Sequence, residues 1–338
     1  MAAVEDNPYV AFSTLAVGER FVGRRGQRLM LLRTVAAGRA SCAIIGLPRV
    51  GKSSLARFVL DQAMHLDNVV AVWIGVGGID DGQSILSALL DELPLPDDGP
   101  DERPDETRAN DVLKRRLQDL RRAGRRVVAV FDEFDSVRQT LDPDLSTRRL
   151  RELVNDTAKY AFTAMLVCRR DLSVIEEQIP DLSNLANACQ RLLLKGFDEE
   201  EFAELVARGF PDGLDAADHA TLVETTGQFP ILAEEALMHV YDGHPASGAA
   251  SRLDGACGQL SAEWQHLLDN AGVWGVLLDV AREGTCDYGW ERDQLLNYGL
   301  IVPDGSGRTS YRIRYEFLAA RLADIAGAAP QRWSTDVD

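Results

Sequence analysis

Hydrophobic residues in this chain fall first into short unbroken runs and later into helical stripes. Ala43-Ile44-Ile45, Asn68 to Gly75, Arg126 to Phe131, Ala164 to Cys168 and Arg191 to Leu194 are largely apolar runs of strand length. Strands apolar at nearly every position are buried on both faces, which is the signature of a parallel sheet covered by helices. Between them lie helical patterns at Gln27 to about Ala37, Ser54 to Leu60, Gln83 to Leu93 and Asn110 to Ala123. Ile85, Leu86, Leu89, Leu90 and Leu93 share one face of the third. This alternation predicts an α/β fold with a parallel sheet covered on both faces.

After residue 195 the pattern becomes helical. Asp198 to Ala207 reads as a capped helix, Ala216 to Thr225 as another, and Gly227-Gln228-Phe229-Pro230 leads into Ile231 to Val240. Residues 243–256, rich in Gly, Ser and Ala, read as a linker. From Glu263 two helices, a third at Trp290 to Tyr298, and the hairpin pattern Gly299 to Arg314 read as a winged helix. Residues 94–107 carry Pro94, Pro96, Pro100 and Pro104 among acids and predict an acidic loop without regular structure. The expected domains are an N-terminal arm at 1–25, a P-loop ATPase domain at 26–196, a helical lid at 197–245 and a winged helix at 257–328.

The chemistry enters at Gly46-Leu47-Pro48-Arg49-Val50-Gly51-Lys52-Ser53, a phosphate-binding P-loop between a strand and a helix. Gly46 and Gly51 let the backbone curl so that N–H groups cradle phosphate oxygens, and the helix beginning near Ser54 adds its positive end. Lys52 would neutralise the β- and γ-phosphates, and Ser53 would coordinate Mg²⁺, a hard ion that takes few protein ligands. The run ending Phe131-Asp132-Glu133 delivers two acids to the same edge of the sheet. Asp132 would hold Mg²⁺ through a water, and Glu133 would orient or deprotonate the water attacking the γ-phosphate. Asp135 reads either as a helix cap or as a second polarising acid.

Arg169 ends the strand expected beside the P-loop strand, a place from which to sense the γ-phosphate, with Arg170 as its alternative. Pro230 would set a rigid apolar turn against the nucleotide base. No Asn-Lys-x-Asp guanine motif occurs in the sequence, which favours ATP over GTP.

Composition narrows the partners. The net charge of −17 opposes sequence-independent attraction to nucleic acid or anionic lipid. The N-terminus lacks an export pattern and no apolar run reaches membrane-spanning length, so a cytoplasmic location without membrane contact is expected. Cys42, Cys168, Cys189, Cys257 and Cys286 form no C-x-x-C pair, and neither a zinc site nor a disulfide framework is expected.

Together the Phe21-Val22-Gly23-Arg24 box, the P-loop, Phe131-Asp132-Glu133, Arg169 and Gly227-x-x-Pro230 resemble the signal-transducing STAND ATPases. They are similar also to the AAA+ relatives of that family, the archaeal-type and origin-recognition ATPases. The resemblance spans about residues 7–325. It implies that Val22 and Arg24 border the adenine, that Arg169 senses the γ-phosphate and that Pro230 contacts the base. It also implies that ATPase domain, lid and winged helix clamp ATP or ADP and open on exchange. Ser54 completes the set of residues expected to bind nucleotide.

About 20 residues precede the nucleotide box and no effector or repeat domain is expected beyond the winged helix, so the chain reads as a bare switch working through separate effector or sensor proteins. No histidine of the winged helix matches the β-phosphate contact that some relatives have. The leading expectation is an ATP-binding and ATP-hydrolysing switch that self-associates or signals to a partner, which family likeness extends to bacterial conflict and defence systems. The alternative is a DNA-engaged helper or loader ATPase. Against it, Arg282, Arg292, Arg308, Arg312, Arg314 and Arg321 of the winged helix face eight acids, and the candidate reading helix, Glu291 to Leu300, carries no basic stripe. A third reading is a nucleotide-binding scaffold with little turnover, against which Glu133 speaks. Arg148, Arg149 and Arg151 are candidates for an arginine donated to a neighbouring subunit.

Overall fold

A computed structural model of the protein describes residues 7–9, 15–94, 106–179, 184–287, 289–305, 307 and 309–326. Most of the expected acidic loop, part of the N-terminal arm, hairpin positions 306 and 308, and the last two residues of the expected winged helix, 327–328, lie outside them. The chain divides into two compact units. One comprises Arg24–Ile45 with Lys52–Leu193, the other Met1–Gly23, Gly46–Gly51 and Leu194–Asp338.

The first unit opens with α1, Arg25–Leu31, which continues as a π-helical turn at Leu32–Ala36. Then come β1 (Ser41–Gly46), α2 (Lys52–Met64), β2 (Val69–Gly75), α3 (Ile85–Glu92) and α4 (Glu106–Arg122). They are followed by β3 (Arg126–Asp132), α5 (Pro143–Asn155), α6 (Thr157–Tyr160), β4 (Phe162–Cys168), α7 (Leu172–Glu176) and β5 (Cys189–Leu194). The strands form one sheet in the order β2-β3-β4-β1-β5, with β4 beside β1 as expected and the β1–β4, β2–β3 and β3–β4 pairs parallel.

Every residue of β1 and β4 is buried, because helices cover both faces. The leucine and isoleucine face of α3 is buried as its spacing predicts, and Ser84 caps that helix by accepting from Ser87 N. Leu113, Leu117 and Leu120 of α4 complete the core on this side, and the helix starts at Glu106 rather than Asn110. Ladder register is what places the chemistry. Ile45 pairs with Cys168, Phe131 with Leu166 and Gly75 with Asp132, so the ends of β1, β2, β3 and β4 finish along one edge.

Three free thiols lie buried on these strands, Cys42 on β1, Cys168 on β4 and Cys189 on β5. Burial pushes Cys42 and Cys189 up to about 12 and Cys168 well above the usual thiol range.

The second unit carries α8 (Glu199–Ala207), α9 (Ala216–Thr226), α10 (Pro230–Tyr241), α11 (Ala249–Asn270), α12 (Trp274–Glu283) and α13 (Gly289–Tyr298). The antiparallel pair β6 (Ile301–Pro303) and β7 (Tyr311–Ile313) and the closing α14 (Glu316–Ala326) follow. Asp198 and Glu201 close a capping box at α8. Asn7 and Tyr9 of the arm bind the helices: Asn7 Nδ2 donates to the Met238 carbonyl, and Tyr9 Oη donates to the Val206 carbonyl.

One expectation is overturned here. The stretch 243–256 is no linker, since α11 begins at Ala249. Ala249, Leu253, Ala256, Leu260 and Trp264 recur at helical spacing and are all buried, and the small side chains among them concealed that stripe. Among the described residues, no helix is long and apolar enough to cross a membrane.

Trp264 is the centre of this unit. Its ring lies 4.9 Å from Phe229, 5.4 Å from Tyr315 and 5.5 Å from Phe317, tying α11 to the turn before α10 and to the start of α14. Gly227 has a φ of 56°, and a Cβ there would stand 2.5 Å from Tyr315 Cδ1. Gly227→Ala is therefore expected to destabilise the protein by about 1–3 kcal/mol, through the left-handed backbone and the crowded ring together. Urea unfolding checks this, with a lowered midpoint and an unchanged m-value as the expected result.

Candidate functional site

The loop between β1 and α2 is built for close approach. A Cβ on Gly46 would stand 2.5 Å from the Leu194 carbonyl oxygen, and Gly51 has a φ of 93°, so glycine is needed at both ends. Leu47 and Val50 are buried and anchor the loop, while Arg49 takes a left-handed φ of 67° with its side chain partly exposed. Lys52 is the first residue of α2, and Ser53 and Ser54 follow in its first turn, where helix N–H groups lack intrahelical partners.

Lys52 is only 7% exposed. Burial pulls its ammonium down to about 8, opposed by the carboxylates of Asp135 and Asp132 and reinforced by Arg169. Ser53 Oγ donates to Asp132 Oδ1 at 2.9 Å. Burial raises the Asp132 carboxyl, while the bonds from Ser53 and the Glu133 N–H pull it back.

Glu133 has a left-handed φ of 53°. Its Oε1 accepts from Arg169 Nη2 at 3.3 Å, an ion pair with both side chains about half exposed (52% for Arg169, 53% for Glu133). Asp135 is engaged with the residues after β4, a role that neither the cap nor the polarising reading named. It accepts from Arg169 N at 2.6 Å, Arg170 N at 3.2 Å and Arg170 Nε at 3.1 Å, and so fixes the end of β4. Arg170 is buried and also donates to Gln178, which leaves Arg169 as the arginine presented at the surface.

Ser53, Asp132, Glu133, Asp135, Arg169 and Arg170 thus form contiguous contacts around Lys52. Val22, Arg24 and Pro230 take their places in other turns. Val22 is half-buried, Arg24 is buried with a left-handed φ of 59°, and Pro230 is buried at the first position of α10. Of the three arginines on α5, Arg149 pairs with Glu152 at 3.2 Å, Arg151 is half-buried and Arg148 is exposed.

Gly77 escaped the sequence reading. A Cβ there would overlap Glu133 Oε2, so the acid lies directly over this glycine. Three glycines in Gly75-Val76-Gly77-Gly78, at the end of a strand adjoining the acidic one, were the available signal.

The donors fit a nucleoside triphosphate with magnesium. A buried lysine at a helix N-terminus matches a polyanion, and a serine hydroxyl beside one carboxylate matches an ion that draws its remaining ligands from phosphate and water. Among the described residues no cluster of three or more His, Cys, Asp or Glu forms a metal site.

The parallel five-stranded sheet, with the loop between β1 and α2 and the acids at the end of β3, is a P-loop ATPase fold. Residues 35–175 match the AAA domain family. Among solved structures, the chain resembles the Walker-type ATPase of Pyrococcus abyssi, with a TM-score of 0.66 at 17% identity over 91% of this chain and 97% of that one. It also resembles the Aeropyrum pernix ORC2 protein in its ADPNP-ADP complexes, with a TM-score of 0.53 at 18% identity over 92% and 96% of the two chains. No curated protein sequence matches the chain.

The buried ammonium carries a stability signature. Below about pH 8 Lys52 is charged in both folded and unfolded chains, and burial costs the folded state on the order of 3 kcal/mol, a penalty relieved as pH rises towards the unfolded value of 10.5. Lys52→Met should therefore be more stable than wild type by about 1–3 kcal/mol at pH 7, with the advantage shrinking above pH 8. Denaturant midpoints of the two proteins across that pH range test this.

Proposed function

We propose that this chain is an ATP-hydrolysing conformational switch of STAND type that associates with itself or with a separate partner protein. The observation that carries this reading is the Ser53–Asp132 hydrogen bond beside the buried Lys52, with Glu133 presented next to it and held by Arg169. Hydrolysis distinguishes the proposal from a passive nucleotide scaffold.

In this reading the loop from Gly46 to Gly51 wraps the phosphates with backbone N–H groups and Lys52 neutralises them. Ser53 and, through a water, Asp132 would hold magnesium, which would supply charge neutralisation at the phosphates. Arg169 donates to Glu133 in the free protein. A γ-phosphate draws that guanidinium away and frees the carboxylate to accept a proton from water as the water oxygen bonds to phosphorus and the bond to ADP breaks. Asp135 keeps Arg169 in place throughout, by holding its backbone rather than its side chain. Val22, Arg24 and Pro230 are assigned to the adenine on family likeness.

The domains of the switch are the arm at 1–25, the ATPase domain at 26–196, the lid at 197–245 and a winged helix at 257–328. The three helices and the β6–β7 hairpin support the last of these. The surface favours protein partners over DNA, because α13 presents Glu291 and Asp293 around Arg292, which is itself paired with Asp293. Exposed Arg148 suits a role towards a neighbouring subunit. Participation in bacterial defence rests on family likeness alone.

Light scattering after size exclusion tests the switch. Glu133→Gln should bind ATP, hydrolyse it at least 100-fold more slowly and accumulate as a higher-mass species, whereas Lys52→Met should bind no nucleotide. An unchanged mass in ATP, together with salt-sensitive binding of short duplex DNA, would instead favour the helper ATPase. Gly77→Ala should displace the Glu133 carboxylate and lower turnover by about tenfold or more while leaving nucleotide affinity and thermal midpoint near wild type, measured by steady-state phosphate release and thermal melting.

A further inference from the structure

Residues 46–51 of the phosphate loop cluster with the helical unit rather than with the strands they connect. A direct link is an ion pair from the loop to α11, with Arg49 Nη2 standing 3.6 Å from Glu263 Oε1. Both partners are set in place by their surroundings. Arg49 sits at a left-handed backbone position between the buried anchors Leu47 and Val50. Glu263 accepts from Gln259 Nε2 at 3.1 Å and immediately precedes Trp264, whose fully buried ring packs against Phe229, Tyr315 and Phe317.

One helix therefore touches three things. Glu263 reaches the phosphate loop, and the next residue reaches both the turn that leads into α10 and the segment joining β7 to α14. An ion pair with partners 38% and 30% exposed contributes little stability by itself. Its value lies in position. A carboxylate facing a phosphate-loop arginine competes with incoming phosphate for that cation, and by linkage whatever the nucleotide does to the arginine is felt by the helix carrying the acid.

We propose that Glu263 is a positioning residue for the phosphate loop, holding Arg49 when nucleotide is absent and transmitting nucleotide occupancy through Trp264 to the C-terminal helices. This rests on the ATP-binding reading above. It requires no movement of the catalytic acid and assigns no chemistry to Glu263 itself.

Hydrogen exchange over 249–270, with and without ADP or a non-hydrolysable ATP analogue, provides the test. In wild type, nucleotide should change exchange in α11. Glu263→Gln should bind nucleotide about threefold more tightly, through loss of the competing carboxylate, and should lose most of the α11 response. In an Arg49→Gln background the same substitution should change neither quantity further, a non-additivity that a merely structural role would not produce. An intact α11 response in Glu263→Gln, or additive effects in the two backgrounds, overturns the proposal while leaving ATP binding in place. Wild-type protein that binds neither nucleotide overturns the ATP reading itself, and this proposal with it.

Discussion

The Asp135 carboxylate accepts three hydrogen bonds from the end of β4, two from consecutive backbone N–H groups and one from Arg170. Buried charges persist when their hydrogen-bonding capacity is filled, and this carboxylate is filled from one side by a rigid strand end. It thereby decides which arginine is free: Arg170 is consumed in the anchor, and Arg169 projects to Glu133. The same negative charge is the largest favourable influence on buried Lys52. Lys52, Arg169 and the acidic end of β3 are thus held in mutual register through Asp135.

The backbone takes uncommon conformations at several non-glycine positions. Arg49, Glu133 and Gln228 are among the residues with positive φ. A left-handed non-glycine residue costs on the order of 1 kcal/mol, a penalty tolerated where the surroundings dictate the conformation. At Glu133 the left-handed turn follows directly on Asp132, the last residue of β3. Asp132 is left facing Ser53, and Glu133 is left over Gly77.

Much of this could be read from residues alone because its signals are local. Apolar runs gave the strands, and the glycine spacing of the loop together with adjacent carboxylates after a buried strand marked the phosphate end of the sheet. What escaped depends on contacts distant in sequence. The role of Asp135 was ambiguous because its partners lie just beyond β4, more than thirty positions away. Gly77 was invisible because its importance is the space it leaves for Glu133. The start of α11 was hidden for a different reason: the buried Ala249 and Ala256 are small and mark a hydrophobic stripe only weakly.

The three strand thiols carry a practical consequence. Cys42, Cys168 and Cys189 are buried and their protonated forms are strongly favoured, so the reactive thiolate is scarce and shielded at neutral pH. Alkylating reagents reach them only when the strands part. The protein therefore contains its own chemical clock, in which the labelling rate of the strand thiols reports how often the sheet behind the loop opens.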